Sequence, residues 1–200
     1  MKNKVVLIFG TFNPITNAHL ELGIQCKSLI PNADIYYVPS NLNYMKNWKN
    51  VDVNLLKDGE RIGLIKNVVS PFEFNVSDIE ILKIVNGNTY ETVSYFKELG
   101  YEEVYICLGY DKLSELHLWY KSEELVSQNN FLVFKRENKG IEDCECPLIL
   151  QYKDKFIEVG GNSRYQGISS TIVRNAYYER KLDDVKDYIP NVVYEYLSRK

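Results

Sequence analysis

The sequence of 200 residues lacks both a large excess of charge and a long hydrophobic run. Its 24 Lys and Arg against 27 Asp and Glu give a net charge of −3 at pH 7, too little positive field to hold a polynucleotide. The apolar run near the amino terminus, Val5 to Phe9, is too short for a signal-peptide core or a membrane span. We therefore expect a cytoplasmic protein with neither a polynucleotide nor a membrane partner, while a compact phosphorylated ligand stays open.

Metal-binding side chains are also scarce. The chain has four cysteines and two histidines, and the cysteines form no CxxC pair. This pattern favours reduced structural thiols, with Cys26 and Cys107 in buried elements, over the alternative of a structural zinc site. We expect no metal ligands from the protein itself.

Apolar runs and helical periodicity alternate along the chain. The predicted strands are Lys4–Phe9, Ile35–Val38, Phe74–Val76, Glu80–Ile84, Val104–Leu108, Phe131–Lys135 and Phe156–Val159. The predicted helices are Ala18–Leu29, Asp58–Val69, Asn88–Gly100, Ser122–Ser127, Ser170–Arg180 and Val192–Ser198. The alternation predicts an α/β fold with a doubly wound parallel sheet. Ligands of such sheets bind beyond the carboxyl ends of the strands, here after Phe9 and Leu108 and beside the polar loop 39–57.

The two common phosphate-binding signatures, GxxxxGK[ST] and GxGxxG, are absent. The first predicted strand is followed instead by the segment GTFNPITNAH, residues 10–19. Thr16 and His19 share one side of the first helical turn, where free N–H groups favour an anion. These residues fit a phosphate site with a proton-sensitive donor, and an ordinary surface histidine is the plainer alternative.

A second polar segment, ISSTIVR, opens a later helix at residues 168–174. Its hydroxyls, free N–H groups and Arg174 could form a polyphosphate cradle, with Ser170 and Arg174 on one face. By itself the segment also fits an N-cap serine followed by a solvated arginine.

Taken together, the two segments resemble the (H/T)xxH and SxTxxR signatures of the nucleotidyltransferase superfamily, and most closely those of the nicotinate and nicotinamide mononucleotide adenylyltransferases. Residues 108–136, LGYDKLSELHLWYKSEELVSQNNFLVFKR, are similar to the bacterial family's GxD, Trp and strand-final Arg pattern. The resemblance runs in order along nearly the whole chain. It implies a Rossmann-like nucleotidyltransferase fold over a single domain, residues 1–200, in which residues 168–200 complete the ATP site.

The resemblance also implies a role for individual residues. His19, Thr16 and Arg174 would be catalytic, with His19 and Arg174 charged against the leaving pyrophosphate. The residues implied for ATP are Gly10, Thr11, Phe12, Lys46, Gly109, Asp111, Ser170 and Thr171. Those implied for the mononucleotide are Asn13, Thr89 and Trp119, with Trp119 stacked on the pyridine ring. From position alone, Asp111 fits a turn cap equally well and Trp119 fits a core residue, and Arg61, Arg136 and His117 receive no role.

The sequence differs from the bacterial family at several positions. Thr16 stands where His is usual, Asn13 where Asp is usual and Ala18 where Gly is usual, as in the eukaryotic version of this loop. The segment that recognises the pyridine carboxylate is represented by NTYET, residues 88–92, with Asn88 in place of a tyrosine. Because the first loop handles ATP, the longer bacterial-like stretch favours nicotinate over nicotinamide mononucleotide as the acceptor.

The implied reaction is transfer of AMP from ATP, with Mg²⁺ bound to the ATP phosphates, to a pyridine mononucleotide in NAD biosynthesis. No nucleophilic residue paired with a base is required, since the mononucleotide itself attacks. Three alternatives remain: nicotinamide mononucleotide as the main acceptor, another transferase of the same fold, and a nucleotide sensor without turnover. The oligomeric state is not readable from the sequence.

Overall fold

The computed structural model describes residues 3–42, 55–135, 139–159, 165 and 167–200. Two residues singled out above, Lys46 and Arg136, lie outside these ranges, as does most of the polar loop 39–57.

Within these ranges, six strands pair in parallel to form one sheet. They are β1 (Lys4–Gly10), β2 (Asp34–Pro39), β3 (Asn75–Val76), β4 (Glu103–Gly109), β5 (Asn130–Phe134) and β6 (Phe156–Val159). Their spatial order is β3-β2-β1-β4-β5-β6, so the chain winds outward in both directions from the β1–β4 pair. The doubly wound parallel sheet expected from the sequence is confirmed.

Seven α-helices lie wholly within the described ranges: α1 (Asn17–Leu29), α2 (Asp58–Val69), α3 (Thr89–Glu98), α4 (Ser122–Gln128), α5 (Pro147–Gln151), α6 (Ser170–Tyr178) and α7 (Asn191–Ser198). Six of them match predicted helices to within two residues at each end. The short α5 and a 3₁₀ helix at Leu182–Tyr188 were not predicted. Neither segment is long enough to show a clear amphipathic period.

The sheet is covered on both faces, because alternate residues of each strand point to opposite sides. From β1, Val6 and Ile8 pack into a core with α1, α2, α6 and α7. Val5 and Leu7 face a second core built with α3, α4 and α5. All four side chains are at most 1% exposed, which explains why β1 reads as an uninterrupted apolar run.

The predicted strand at Glu80–Ile84 is wrong. Residues 79–83 form turns, in which Leu82 N–H donates to the Asp78 carbonyl and Lys83 adopts a left-handed φ of 57°. Leu82 and Ile84 are 60% and 56% exposed, so the alternating apolar pattern does not reflect a buried face. The segment instead carries Glu80 to the edge of the site described below.

Cys26, Cys107, Cys144 and Cys146 are all free and buried. No group of three or more His, Cys, Asp or Glu side chains within the described ranges is arranged to hold a metal ion. Across the same ranges, no helix is both long enough and apolar enough to cross a membrane.

Candidate active site

A cavity of about 550 Å³ opens where the chain reverses its winding direction, beyond the carboxyl ends of β1 and β4. Gly10 and Thr11 line it from the β1 side, and Gly109 and Trp119 from the β4 side. Thr89, at the start of α3, completes this wall together with Asn88. The structure thus brings residues implied for ATP and for the mononucleotide into one pocket.

The loop after β1 is shaped by a close approach between Gly10 and Phe12. A Cβ atom on Gly10 would lie 2.7 Å from the Phe12 ring, so a larger residue would displace that ring. Phe12 itself has a left-handed φ of 45° and is 1% exposed, and its ring meets His19 edge-on at 5.1 Å between centroids. Phe12 therefore packs beneath His19.

His19 and Thr16 bind each other at the start of α1. The Thr16 hydroxyl oxygen caps the helix by accepting from His19 N–H at 3.4 Å, and His19 Nδ1 accepts from Thr16 N–H at 3.1 Å. The Thr16 Oγ1 atom also lies 2.8 Å from Nδ1. Because a backbone N–H can only donate, Nδ1 is the acceptor and the neutral ring carries its proton on Nε2.

Burial lowers the pKa of His19 to about 4, so the ring is neutral at pH 7 in this structure. The sequence-based expectation was a protonated ring. A neutral imidazole can still donate one hydrogen bond from Nε2, and a nearby phosphate would favour the charged form.

Tyr37 supports the same helix from β2. Its hydroxyl donates to the His19 carbonyl at 2.9 Å. The Tyr37 hydroxyl lies where a Cβ atom of Gly23 would be, so glycine at that position lets the ring reach the helix backbone. Sequence reasoning missed this contact, although a glycine inside an otherwise regular helix signals a close approach.

The start of α6 is hydrogen-bonded to the β1 loop. Ser169 is the N-cap, and Ser170 Oγ donates to the Pro14 carbonyl at 2.8 Å. Arg174, 5% exposed, donates to the Asn13 carbonyl at 2.9 Å and to Thr171 Oγ1 at 3.0 Å. Residues more than 150 positions apart in the chain therefore form one unit around the start of α1.

Asn13 connects the β1 loop to Leu56, which lies two residues before the start of α2. Its fully buried amide donates to the Leu56 carbonyl at 3.1 Å and accepts from Leu56 N–H at 3.0 Å. These bonds give Asn13 a positioning role, whereas its implied contact with the mononucleotide stays a prediction.

Arg61, which received no role from the sequence, is fully buried on α2. Its guanidinium donates to the Thr11 carbonyl at 2.6 Å and to the Ser40 carbonyl at 3.0 Å, and it pairs with Asp58 at 2.6 Å. Burial lowers the pKa of Arg61 from its ordinary value, and the pair with Asp58 opposes that shift. The sequence pattern that could have indicated its burial is the position of Arg61 on the same helical face as Leu64 and Ile65.

At the end of β4, the Asp111 carboxylate folds back over Gly109. Its Oδ1 atom lies 2.7 Å from the place a Gly109 Cβ would occupy. Trp119 is half-buried and lines the cavity, while its stacking on the pyridine ring stays a prediction. The exposed His117 does not line this cavity.

The start of α3 supplies the third side of the cavity. Asn88 Oδ1 caps the helix by accepting from Glu91 N–H at 2.9 Å, while the Glu91 carboxylate accepts from Asn86 N–H at 2.9 Å. The predicted capping box is therefore half formed: the Asn88 side chain caps the helix, but the Glu91 side chain binds the Asn86 backbone and not the Asn88 backbone. Glu80, buried beside this helix start, accepts from Thr92 Oγ1 at 3.0 Å. Thr92 belongs to the segment that resembles the carboxylate-recognition segment, whereas sequence reasoning gave Glu80 no role.

This chain is similar to known proteins in sequence and in fold. A family described as cytidylyltransferase-like matches residues 7–176. A probable nicotinate-nucleotide adenylyltransferase of Caldicellulosiruptor saccharolyticus is 31% identical, covering 98% of this chain and 97% of the relative. A probable enzyme of the same name from Clostridium botulinum, strain Okra, is 29% identical, covering 98% of this chain and 96% of the relative. Among solved structures, Plasmodium falciparum nicotinic acid mononucleotide adenylyltransferase in complex with NaAD superposes with a TM-score of 0.76 at 21% identity, covering 98% of this chain and 95% of that one.

Proposed function

This chain belongs to the cytidylyltransferase-like family and, within it, to the nicotinate-nucleotide adenylyltransferases, and on that premise we propose that it transfers AMP from ATP to nicotinate mononucleotide in NAD biosynthesis. One structural observation supports the proposal most strongly. The β1 loop, which leads into α1, is hydrogen-bonded to the start of α6, and residues of the same loop line the cavity of about 550 Å³.

The proposed reaction is a single displacement at phosphorus. An oxygen of the mononucleotide 5′-phosphate attacks the α-phosphorus of ATP, and the bond from that phosphorus to the oxygen bridging to the β-phosphorus breaks. The electron pair of the broken bond leaves with pyrophosphate, and the product is a dinucleotide. No covalent bond to the protein forms, so the protein contributes alignment and neutralisation of charge.

We assign the triphosphate to the region between the starts of α1 and α6. There the Nε2–H group of His19 would donate to a phosphate oxygen, and the free N–H groups of two helix termini favour an anion. Thr16 orients the His19 ring, as described above. Ser170, Thr171 and Arg174 would bind the β- and γ-phosphates, with Arg174 also holding the loop backbone.

The pyridine mononucleotide is assigned to the cavity. Trp119 would stack on its ring, Thr89 would bind at the start of α3, and Gly109 and Asp111 would hold the adenosine ribose next to it. Lys46 stays a proposed ATP contact from outside the described residues.

Mg²⁺ would enter with ATP as part of the substrate, held mainly by the phosphates, where it neutralises charge on the leaving group. The donor groups of the site fit this arrangement, because they are hydroxyls, N–H groups and cations that bind phosphate oxygens. The cytoplasmic location and the single-domain organisation inferred from the sequence stay predictions.

The direct test is incubation of the purified protein with ATP, Mg²⁺ and either mononucleotide, with dinucleotide and pyrophosphate both quantified. We expect equal amounts of the two products and a preference for nicotinate mononucleotide. Binding of ATP without any pyrophosphate release would instead indicate a sensor.

A further inference from the structure

One wall of the cavity includes a buried glutamate to which the proposed reaction gives no role. Glu80 is 3% exposed, yet it lines the cavity together with Asn88, Thr89 and Trp119. These are the residues around which the pyridine ring is placed under the proposed function. Glu80 therefore belongs to the wall nearest the place proposed for the pyridine ring.

The contacts of Glu80 leave its charge uncompensated. Among the described residues, its carboxyl group receives one hydrogen bond, from the fully buried Thr92 hydroxyl at 3.0 Å, and forms no ion pair. Its backbone carbonyl accepts from Asn41 Nδ2 at 3.3 Å. Removal from water raises the pKa of Glu80 to about 7, and the bond from Thr92 partly opposes that rise.

The other titratable groups on the cavity wall come from β4 and the segment after it. Lys112 and Glu115 pair with each other at 2.9 Å, so the lysine is already engaged by a carboxylate. A hydrogen bond with Cys26, together with burial, raises the pKa of the Cys107 thiol, which is neutral at pH 7. Glu80 is therefore the buried acidic group on this wall whose protonation changes near neutral pH.

We propose that Glu80 is a specificity-determining residue that binds the pyridine carboxylate of nicotinate mononucleotide through its protonated form and opposes that carboxylate once ionised. Two carboxylates that share a site shielded from water cannot both be charged without a large penalty. A carboxamide carries no charge, and ionised Glu80 can accept a hydrogen bond from its N–H group. The inference rests on the proposed function, since it requires the pyridine ring to occupy this cavity.

The test is the ratio of kcat/KM for nicotinate mononucleotide to kcat/KM for nicotinamide mononucleotide, measured between about pH 6 and 8.5. Ionisation of the 5′-phosphate is common to both substrates and cancels in the ratio. For the wild-type protein we expect the ratio to fall with rising pH, approaching ten-fold per pH unit above the midpoint, as binding of one proton requires.

Glu80→Gln should remove this pH dependence, because the amide stays neutral and can still donate to a carboxylate. Its ratio near pH 8 should exceed the wild-type ratio by on the order of ten-fold. Glu115→Gln is the matched control, since it removes a carboxylate from the same cavity wall, and it should retain the wild-type pH dependence.

Thr92→Val is a second, independent test, because it deletes the hydrogen bond that favours the charged form of Glu80. We expect the midpoint of the ratio to move to higher pH. A constant wild-type ratio, an unchanged slope in Glu80→Gln, or an unchanged midpoint in Thr92→Val would each overturn the inference. Absence of dinucleotide with both substrates would instead overturn the proposed function.

Discussion

The side chains at the start of α1 show how hydrogen bonds fix the chemical form of single residues. The Nδ1 atom of His19 accepts from the Thr16 backbone, which leaves Nε2–H as the donor available to a ligand. Phe12 packs edge-on against the ring, and Tyr37 donates to the His19 carbonyl. The imidazole is thus oriented before any phosphate binds, which is the condition for efficient charge stabilisation.

We expect His19→Ala to fold normally and to lose roughly 10²- to 10³-fold in kcat, the usual scale for removing one preorganised donor. Steady-state kinetics with saturating ATP and mononucleotide measures the loss, and circular dichroism checks the fold. His117→Ala is the control, because the second histidine is exposed and does not line the cavity. Wild-type turnover in His19→Ala would contradict the assignment.

Arg174 combines two functions in one guanidinium. Arg174→Ala should weaken ATP binding more than mononucleotide binding, by about 1.5 to 3 kcal/mol, the usual value of a hydrogen bond to a charged group. It should also lower the melting temperature, because the Asn13 carbonyl loses its buried donor. Calorimetry with each ligand and a thermal melt separate these effects.

The matched control for this prediction is Arg199→Ala, which removes an exposed arginine whose ion pair with Glu195 spans 3.8 Å. It should change neither ATP affinity nor the melting temperature. Equal weakening of both ligands by Arg174→Ala would argue against a contact with the β- and γ-phosphates.

At the scale of secondary-structure elements, α2 and α6 both bind the β1 loop, although they lie far apart in the sequence. Arg61 and the segment before α2 bind the Thr11 carbonyl and the Asn13 side chain, whereas α6 binds the Asn13 and Pro14 carbonyls. A loop that follows a buried strand would otherwise leave these backbone groups without partners. Both helices therefore determine the shape of the phosphate region.

Arg61→Met tests the α2 connection, because methionine retains much of the apolar stem but cannot donate. We expect a loss on the order of 3 kcal/mol in the free energy of unfolding, since two carbonyls lose buried donors. Urea denaturation measures it, with Lys66→Met, an exposed change on the same helix, as the control. A loss no larger than that of the control would show that the Arg61 bonds contribute little.

At the scale of the whole molecule, two buried groups make stability depend on pH in opposite directions. Glu80 has a pKa raised from 4.5 to about 7, so the folded chain retains a proton that the unfolded chain loses as the pH rises through this window. His19 has a pKa lowered from 6.5 to about 4. As the pH falls from 6.5 to 4, the histidine therefore binds a proton in the unfolded chain but stays neutral in the folded chain. Glu80 thus destabilises the fold towards pH 7, and His19 destabilises it towards pH 4.

Glu80→Gln should remove the first effect and leave the second. Relative to the wild type, we expect the variant to gain on the order of 2 kcal/mol in the free energy of unfolding between pH 5 and pH 7. Urea titrations at the two pH values measure this difference, and any constant offset from the substitution cancels. Glu98→Gln, an exposed change on α3, serves as the control, and a pH-independent difference for Glu80→Gln would refute the prediction.

The sequence by itself determined the fold class, most helix boundaries and the two polar segments of the site. Short apolar runs ending in Gly10 and Gly109 are typical of buried parallel strands, and hydroxyl residues before a helix are typical of N-caps. These signals are local, because they depend on backbone conformation and on residues within one helical turn. The resemblance added the order of the segments and hence the identity of the family.

Only the tertiary structure decided which buried polar groups serve the site. Arg61, Glu80 and Tyr37 act through partners 12 to 50 residues away, and no local spacing predicts such contacts. The alternation around Glu80 to Ile84 suggested a strand, but the chain turns there and the segment pairs with none of the strands of the described sheet. The charge states of Glu80 and His19 follow from removal from water, a property that exists only once the surrounding elements have packed.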